Sequence, residues 1–558
     1  MGQQRESRTI NSSLWAAYGD ILGFPMELVD SNGVMRRIGD YRIIKPVTWK
    51  RMVGGKFGAL AVLGAGSYSD DTQLRLSTSR TIRGDGYFDV EALAKIELPV
   101  WLSYSLGAGR GSKLAASSLV QKGTAWFSNF YEQNDSQYIN GGGNGAAMRI
   151  QPHVWAATDL SNPSTFLLDV LRNSICTHGH PHGIGGALIH AASLAFVLRE
   201  GTLPSPNDWK DFGRYILLAS DLVRADQNLS TFWLPTWNKK ADVLFDSALE
   251  KAHHEWKTDV EACNSFMKMH PNDAYEGLVR ALGGLTPEQR GSGLKSALFA
   301  LAASWLFKNE GAEATILTTA NLLSSDTDTV ATMTGALIGA YYLDTPPHGT
   351  IQDIEYLTSE AQRLCAISRG GHAESFEYPD LLNWMPPKNQ LDSLGTIDGR
   401  LAVAGLGWVT PFGEEFATGQ KDALWQWHKF EFGQTVLCKR RTILKPLASM
   451  SFPAIAAAPE PYVRPKLLKT ITPINQQMRT PDLFENSRKH SVDKELPSSN
   501  EETLDELTNQ AIRSGFNPEV IGLQLLTLSA RTNGIELAIA YAAIIAKARR
   551  ARLKKEQA

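Results

Sequence analysis

DTDTVATMTGALIGAYY, residues 326–342, is an acidic head on an apolar tail of small residues. The tail, with Ala, Gly and Thr recurring among Leu, Ile and Met, reads as a helix over 327–342 that packs close to its neighbours. The head, Asp326-Thr327-Asp328-Thr329, places carboxylates and hydroxyls at the start of that helix. Far upstream, Ser69-Asp70-Asp71-Thr72 opens a second helix, from Asp71 to roughly Ile82. Taken singly, each string is a helix cap. Ser69 suits the first helix, and Ser325 or Asp326 the second, because orphan N–H groups and the positive dipole end attract acceptors and anions. Brought together, the two strings become a site for hard cations. Oxygen donors without clustered Cys favour Mg²⁺, Mn²⁺ or Ca²⁺ over zinc. Adjacent carboxylates can also serve two ions about 3.5–4 Å apart.

Around these strings the chain is mainly helical as far as about residue 375. Residues 183–199, 214–223, 294–307 and 312–323 carry apolar positions at helical spacing. Residues 31–60, 104–112 and 134–145 are Gly-rich and read as loops, where ligand contacts gather. The expectation is a compact, multi-helix, all-α domain over 10–375, followed by an extension of mixed α/β or helical character. Within the extension, 376–463 is irregular, with one or two strands in 423–445. A polar, Pro-interrupted linker follows over 464–502. Helices return over 503–558, with a turn at Asn533-Gly534.

Several features bear on chemistry. Glycines in Gly141-Gly142-Gly143-Asn144-Gly145 can take φ > 0 and let backbone N–H groups converge on an anion. Arg149 could add a cation or pair with a core acid. His178, His180 and His182 alternate as zinc ligands on a strand would, but Gly179 and Pro181 make the segment a loop and zinc is set aside. Cys176 lies near His178, and nothing else supports it as a nucleophile. The 558 residues carry a net charge of −2, so no global field points to nucleic acid or membrane. Four scattered cysteines, at 176, 263, 365 and 438, form no CxxC and fit reduced thiols in the cytoplasm. The polar start shows no secretory signal, and Met1-Gly2 alone does not argue for myristoylation. No apolar run of spanning length, about 18 residues, points to a membrane. The basic run Lys547, Arg549, Arg550, Arg552, Lys554 and Lys555 reads as a solvated helix end rather than a nucleic-acid contact.

Five strings in order resemble the ADP-ribosylglycohydrolase family: AAYGDILGFPMEL (16–28), YSDDTQ (68–73), GGGNGAAMR (141–149), THGHP (177–181) and DTDTVATMTGALIGAYY (326–342). The resemblance covers about residues 10–345, with an outer limit at about 375. It implies an all-α fold around a dinuclear Mg²⁺ or Mn²⁺ centre with two ions, held by Ser69, Asp70, Asp71, Asp326, Asp328 and Thr329. It implies Glu27 as the active-site glutamate, with Asp70 and Asp71 the other groups able to polarise water. It places residues 141–145 around diphosphate and ribose, and His178 against substrate. Two departures stand out: Ser69 where many members have Thr, and Ser324-Ser325 where Gly-Gly is common. The implied function is metal-dependent release of ADP-ribose from a modified acceptor, a protein side chain first. The alternatives are an ADP-ribosylated small molecule or nucleic acid as substrate, or an ADP-ribose-binding or structural protein of the same fold without turnover. Neither the acceptor nor the role of residues 376–558 is legible in the sequence.

Overall fold

The computed structural model describes residues 2–133, 136–343, 346–452, 503–530, 537–539, 541–542, 544–546, 548–549 and 552. The chain divides into two units, Met1–Lys469 and Thr470–Ala558. Among the helices of the first unit are α1 (Gly2–Gly23), α2 (Asp70–Arg80), α3 (Arg110–Leu119), α4 (Ser164–Ile175), α5 (Pro181–Glu200), α6 (Arg214–Ala225), α7 (Phe245–Cys263), α8 (Gly293–Leu306), α9 (Ala312–Ala320), α10 (Thr327–Tyr341) and α11 (Ile354–Ser368). The helical segments expected before residue 375 form, with ends shifted by a few residues.

The polar N-terminus is not an appendage. It is the first half of α1, which lies along α10. Its polar side chains satisfy the orphan carbonyls where α10 ends. Arg8 donates to the carbonyl of Tyr341 (3.2 Å), and Asn11 to those of Tyr342 (3.0 Å) and Leu343 (2.8 Å). Ser12 Oγ donates to the carbonyl of Ala336 at 2.8 Å. Glycines bring the two backbones together. A Cβ on Gly19 would lie 2.2 Å from the Ala331 carbonyl oxygen, and one on Gly335 would lie 2.2 Å from that of Trp15. At the other glycine contacts the distances are 2.5 Å from Gly339 to the Asn11 oxygen and 2.4 Å from Gly23 to Asp328 Cα. The same device joins α5 to α8, where a Cβ on Gly186 would meet Gly293 backbone at 2.3 Å. Helix α5 is long and apolar enough to cross a membrane by length and composition. It is a core helix, with 89% of its apolar window buried.

Two expectations are corrected. Residues 31–60 are not simply loop: Ser31–Ile38 is helical, and β1 (Trp49–Val53) pairs with β2 (Ala59–Leu63) as a hairpin. Residues 376–412 are not irregular throughout. An antiparallel five-stranded sheet runs in chain order through β3 (Leu394–Ile397), β4 (Arg400–Val403), β5 (Gly407–Ala417), β6 (Leu424–Phe430) and β7 (Thr435–Arg440). This sheet packs within the first unit. Thr435 N–H donates to Asp353 at 2.6 Å, and the same carboxylate accepts from the Tyr68 hydroxyl at 2.7 Å. At the far end of α2, buried Arg80 pairs with Glu97 at 2.7 Å and donates to Gln434 at 2.6 Å.

In the second unit, α12 (Leu504–Arg513) opens with a Thr503/Glu506 capping box, and α13 (Pro518–Ser529) is capped by Asn517. Leu507, Ala511, Leu528, Tyr541 and Ile545 form its core. Residues 464–502, the turn at Asn533-Gly534, and Lys547, Arg550, Lys554 and Lys555 lie outside the described residues. Arg549 and Arg552 are helical and exposed.

The close approach of α1 and α10 gives a direct prediction. Gly335→Ala drives a methyl into the Trp15 carbonyl and lowers stability by about 1–3 kcal/mol, the usual cost of overpacking. Chemical denaturation measures it, and an unchanged midpoint would contradict the packing described.

Candidate active site

One cleft of about 430 Å³ opens over the start of α2, the start of α10 and the 141–145 loop. Glu27, Asp70, Asp71, Gly141, Gly142, Gly143, Asn144, Gly145, His178, Asp326, Asp328 and Thr329 all line it. Ser69 alone of the expected site residues lies beneath it, fully buried, with its hydroxyl 3.5 Å from Asp71 Oδ2.

The two acidic strings do different local work. Ser69 is a true cap, its Oγ accepting from Asp71 N–H at 3.2 Å. Asp326 precedes α10 but makes no capping bond. Its Oδ2 instead accepts from Asn144 Nδ2 at 3.0 Å, so its carboxylate faces the cleft rather than the helix. Ser324, one of the family departures, takes φ = 70°, a left-handed turn that glycine would enter without cost. Asp328 Oδ1 accepts from the Thr329 amide at 2.9 Å, and Thr329 Oγ1 lies 3.4 Å from Asp71 Oδ2. Asp71 Oδ1 is buried without a hydrogen-bond partner.

Burial and mutual repulsion push these acids upward. Asp70 rises well above the carboxylate range through burial, then through Glu27 and Asp20. Asp71 rises through burial, Asp20 and Asp70, and Asp328 through burial, Glu27 and Asp326. Glu27 rises through burial, a shift that Arg51 opposes. Such a cluster is stable only with protons or a cation in it. Among the described residues, no three His, Cys, Asp or Glu side chains already converge as a tight coordination group.

The glycine loop departs from its expected geometry. None of Gly141, Gly142, Gly143 and Gly145 has a positive φ. Their lack of side chains serves close approach instead: a Cβ on Gly145 would sit 2.8 Å from Ser112 Oγ and 3.1 Å from His178. The amides of Gly141, Gly142 and Asn144 already donate to the carbonyls of Tyr138 (3.0 Å), Asn140 (2.9 Å) and Gly291 (2.9 Å). A cradle built from those three amides is therefore excluded. Arg149 is not a cleft cation. Fully buried, it bonds Asn173, the Gly145 carbonyl at 3.0 Å and Thr177 Oγ1 at 2.8 Å. Thr177 Oγ1 also meets His178 Nδ1 at 2.7 Å, so Arg149 braces both loop and histidine. Burial, with Arg149 nearby, pushes His178 down to about 3 and keeps the ring neutral.

The neighbouring histidines serve elsewhere. His180 caps α5 by accepting from the His182 amide at 3.1 Å, and His182 pairs with Glu255 at 2.9 Å. Cys176 is buried, its thiol pushed up to about 12, which removes it as a nucleophile. All four cysteines are unpaired and buried.

Sequence reasoning missed several residues. Arg110 and Arg290 line the cleft and supply the positive charge expected of Arg149. Asp20 is the most consequential. Fully buried on α1, it accepts from Ser69 N–H (2.9 Å), Thr72 N–H (2.9 Å) and Thr72 Oγ1 (2.6 Å), and so holds the start of α2. Its signal was visible: a lone acid in the apolar run AAYGDILGF. Asp20→Asn turns an acceptor into a donor against these groups. It should cost about 1–3 kcal/mol, the penalty of unpaired buried polar groups, and displace Asp70 and Asp71. Thermal denaturation tests this, and a wild-type melting curve would contradict it.

Over 181 residues, 32% of this chain, the sequence is 27% identical to the ADP-ribosyl-[dinitrogen reductase] glycohydrolase of Rhodospirillum rubrum. That match spans about half, 54%, of the relative's length. A solved structure described as an ADP-ribosylglycohydrolase-related protein complex is 21% identical, with a TM-score of 0.41, covering 66% of this chain and 99% of that one. Residues 1–372 match the ADP-ribosylglycohydrolase family throughout, and the chain belongs to that family.

Proposed function

We propose that this protein is a metal-dependent hydrolase that cleaves the glycosidic bond between ADP-ribose and a modified acceptor, a protein side chain, releasing ADP-ribose. The observation that carries the reading is that Asp70, Asp71, Asp326, Asp328 and Glu27 all line one cleft, walled by the 141–145 loop. The buried four-cysteine set supports a reducing compartment, the cytoplasm.

The residues present fit two hard divalent ions, Mg²⁺ or Mn²⁺. Asp71 Oδ1 is buried and unpartnered, Asp326 spends no oxygen on its helix, and the donors are oxygens alone. Asp70, Asp71, Asp326, Asp328, Ser69 and Thr329 would hold them. When bound, such ions orient the ribose diol and lower the pKa of water.

The chain's own groups then divide the work. Asn144 fixes the rotamer of Asp326. Glu27, which lines the cleft and is raised by burial, exchanges a proton with water or leaving group. Neutral His178, braced by Thr177, offers a hydrogen bond to the ribose side of the ligand. Arg110 and Arg290 offer cations to the diphosphate, a role the committed loop amides leave open.

Asp328→Ala should leave the far-UV circular dichroism unchanged. It should abolish detectable ADP-ribose release and weaken Mn²⁺ binding in calorimetry by at least about tenfold. Retained turnover in that variant would remove the proposed site. Arg290→Gln should raise KM about tenfold with kcat little changed, as loss of a ground-state contact does. An unchanged KM would take the diphosphate elsewhere.

A further inference from the structure

Arg51 lies outside every string that carries the family resemblance, on β1. We propose that Arg51 is a positioning residue for Glu27, and that the C-terminal sheet, outside the family-matched residues, holds it in place. This rests on the functional reading above.

The contacts run in one direct line. Arg51 Nη2 and Nη1 lie 3.4 and 3.5 Å from Glu27 Oε2, an ion pair about one-fifth exposed on the arginine side. Its guanidinium lies 4.5 Å from the Phe24 ring centroid and 5.8 Å from that of Trp49. Phe24 and Trp49 themselves pack edge to face at 5.2 Å. Arg51 does not line the cleft, so it acts through Glu27.

The Glu27 backbone is already fixed. Arg37 donates to the carbonyls of Pro25 and Glu27, both at 2.9 Å. The next residue, Leu28, is held at φ = 54°, a left-handed conformation costly for leucine. With the main chain pinned, Arg51 decides where the carboxylate points.

Arg51 in turn depends on the sheet. A two-stranded hairpin such as β1–β2 is marginal alone. Its buried residues Trp49, Val53, Ala59, Ala61 and Leu63 form one apolar cluster with Trp425, Trp427 and Leu437 of β6 and β7. Trp427 Nε1 donates to the Val62 carbonyl at 3.2 Å, and a Cβ on Gly54 would touch the Trp425 ring at 3.1 Å. The sheet is itself fixed to the helical body, where Lys439 N–H donates to the Ser103 carbonyl at 2.8 Å.

The test is steady-state release of ADP-ribose by the full chain, for wild type, Arg51→Gln, Arg51→Lys, Trp427→Ala, Glu27→Gln and the Glu27→Gln/Arg51→Gln double variant. Misplacing a reacting group by about 1 Å costs on the order of 100-fold. Arg51→Gln should therefore lower kcat about 10- to 100-fold with KM nearly unchanged, and Arg51→Lys should recover part of it. Arg51→Gln should add no further loss in the Glu27→Gln background, and Trp427→Ala should lower kcat in the same sense. Equal losses from Arg51→Gln with and without Glu27 would overturn the proposal. So would variants that melt earlier yet keep wild-type kcat. Absence of turnover in the wild type would overturn the functional reading and this inference with it. Wild-type turnover with an unaffected Arg51→Gln variant would overturn this inference alone.

Discussion

The site depends on how closely α1 and α10 approach. Gly19, Gly23, Gly335 and Gly339 let the two backbones touch where any side chain would force them apart. That contact sets the position of both acidic strings at once. Gly23 lies against Asp328, and its carbonyl accepts from Thr327 Oγ1 at 2.9 Å, which fixes the start of α10. One turn back on α1, Asp20 holds Ser69 and Thr72 at the start of α2. A single helix thus aligns two clusters that are distant in sequence. The alignment is rigid because backbone contacts, unlike long side chains, have few alternatives.

What the alignment creates is an electrostatic problem. Asp20, Asp70, Asp71, Asp328 and Glu27 crowd a region with little solvent; burial raises all five, and neighbouring carboxylates push Asp70, Asp71, Asp328 and Glu27 up further. Fully buried Arg75, which donates to Thr72 Oγ1 at 2.9 Å, offsets Asp20 and Asp71 from below, and its own pKa falls to about 10 with burial. One guanidinium cannot neutralise the set. On the proposed reading, the remaining imbalance is what two divalent cations would offset, at a site whose buried acids cost stability when unpaired.

Much of this was legible in the sequence, for identifiable reasons. Helices such as α5 and α10 show a 3.6-residue period of small and apolar residues, and the two acidic strings stand at their helix starts whatever surrounds them. The glycine loop was located, but glycine served close packing rather than unusual φ, a difference no spacing reveals. Asp20 leaves no periodic trace, and only its place as a lone acid in the apolar run AAYGDILGF marks it. Strands β3 to β5 were hidden by glycines and Pro411 that read as breakers. Yet Asp398-Gly399, with φ of 48° and 81°, is the two-residue turn that joins β3 to β4, and it was a usable hairpin signal. Arg51 could not have been found from the sequence, since only the hairpin's packing on the sheet brings it to Glu27.

On the proposed reading, the paired acidic clusters form one metal-dependent hydrolytic site. The most direct measurement is release of free ADP-ribose from an ADP-ribosyl-arginine protein by the full chain, in EDTA and after restoring Mg²⁺ or Mn²⁺. Release that vanishes in EDTA and returns with either ion is the predicted result. Equal release with and without metal, or ADP-ribose binding that never leads to release from arginine or any other ADP-ribosylated acceptor, would contradict it.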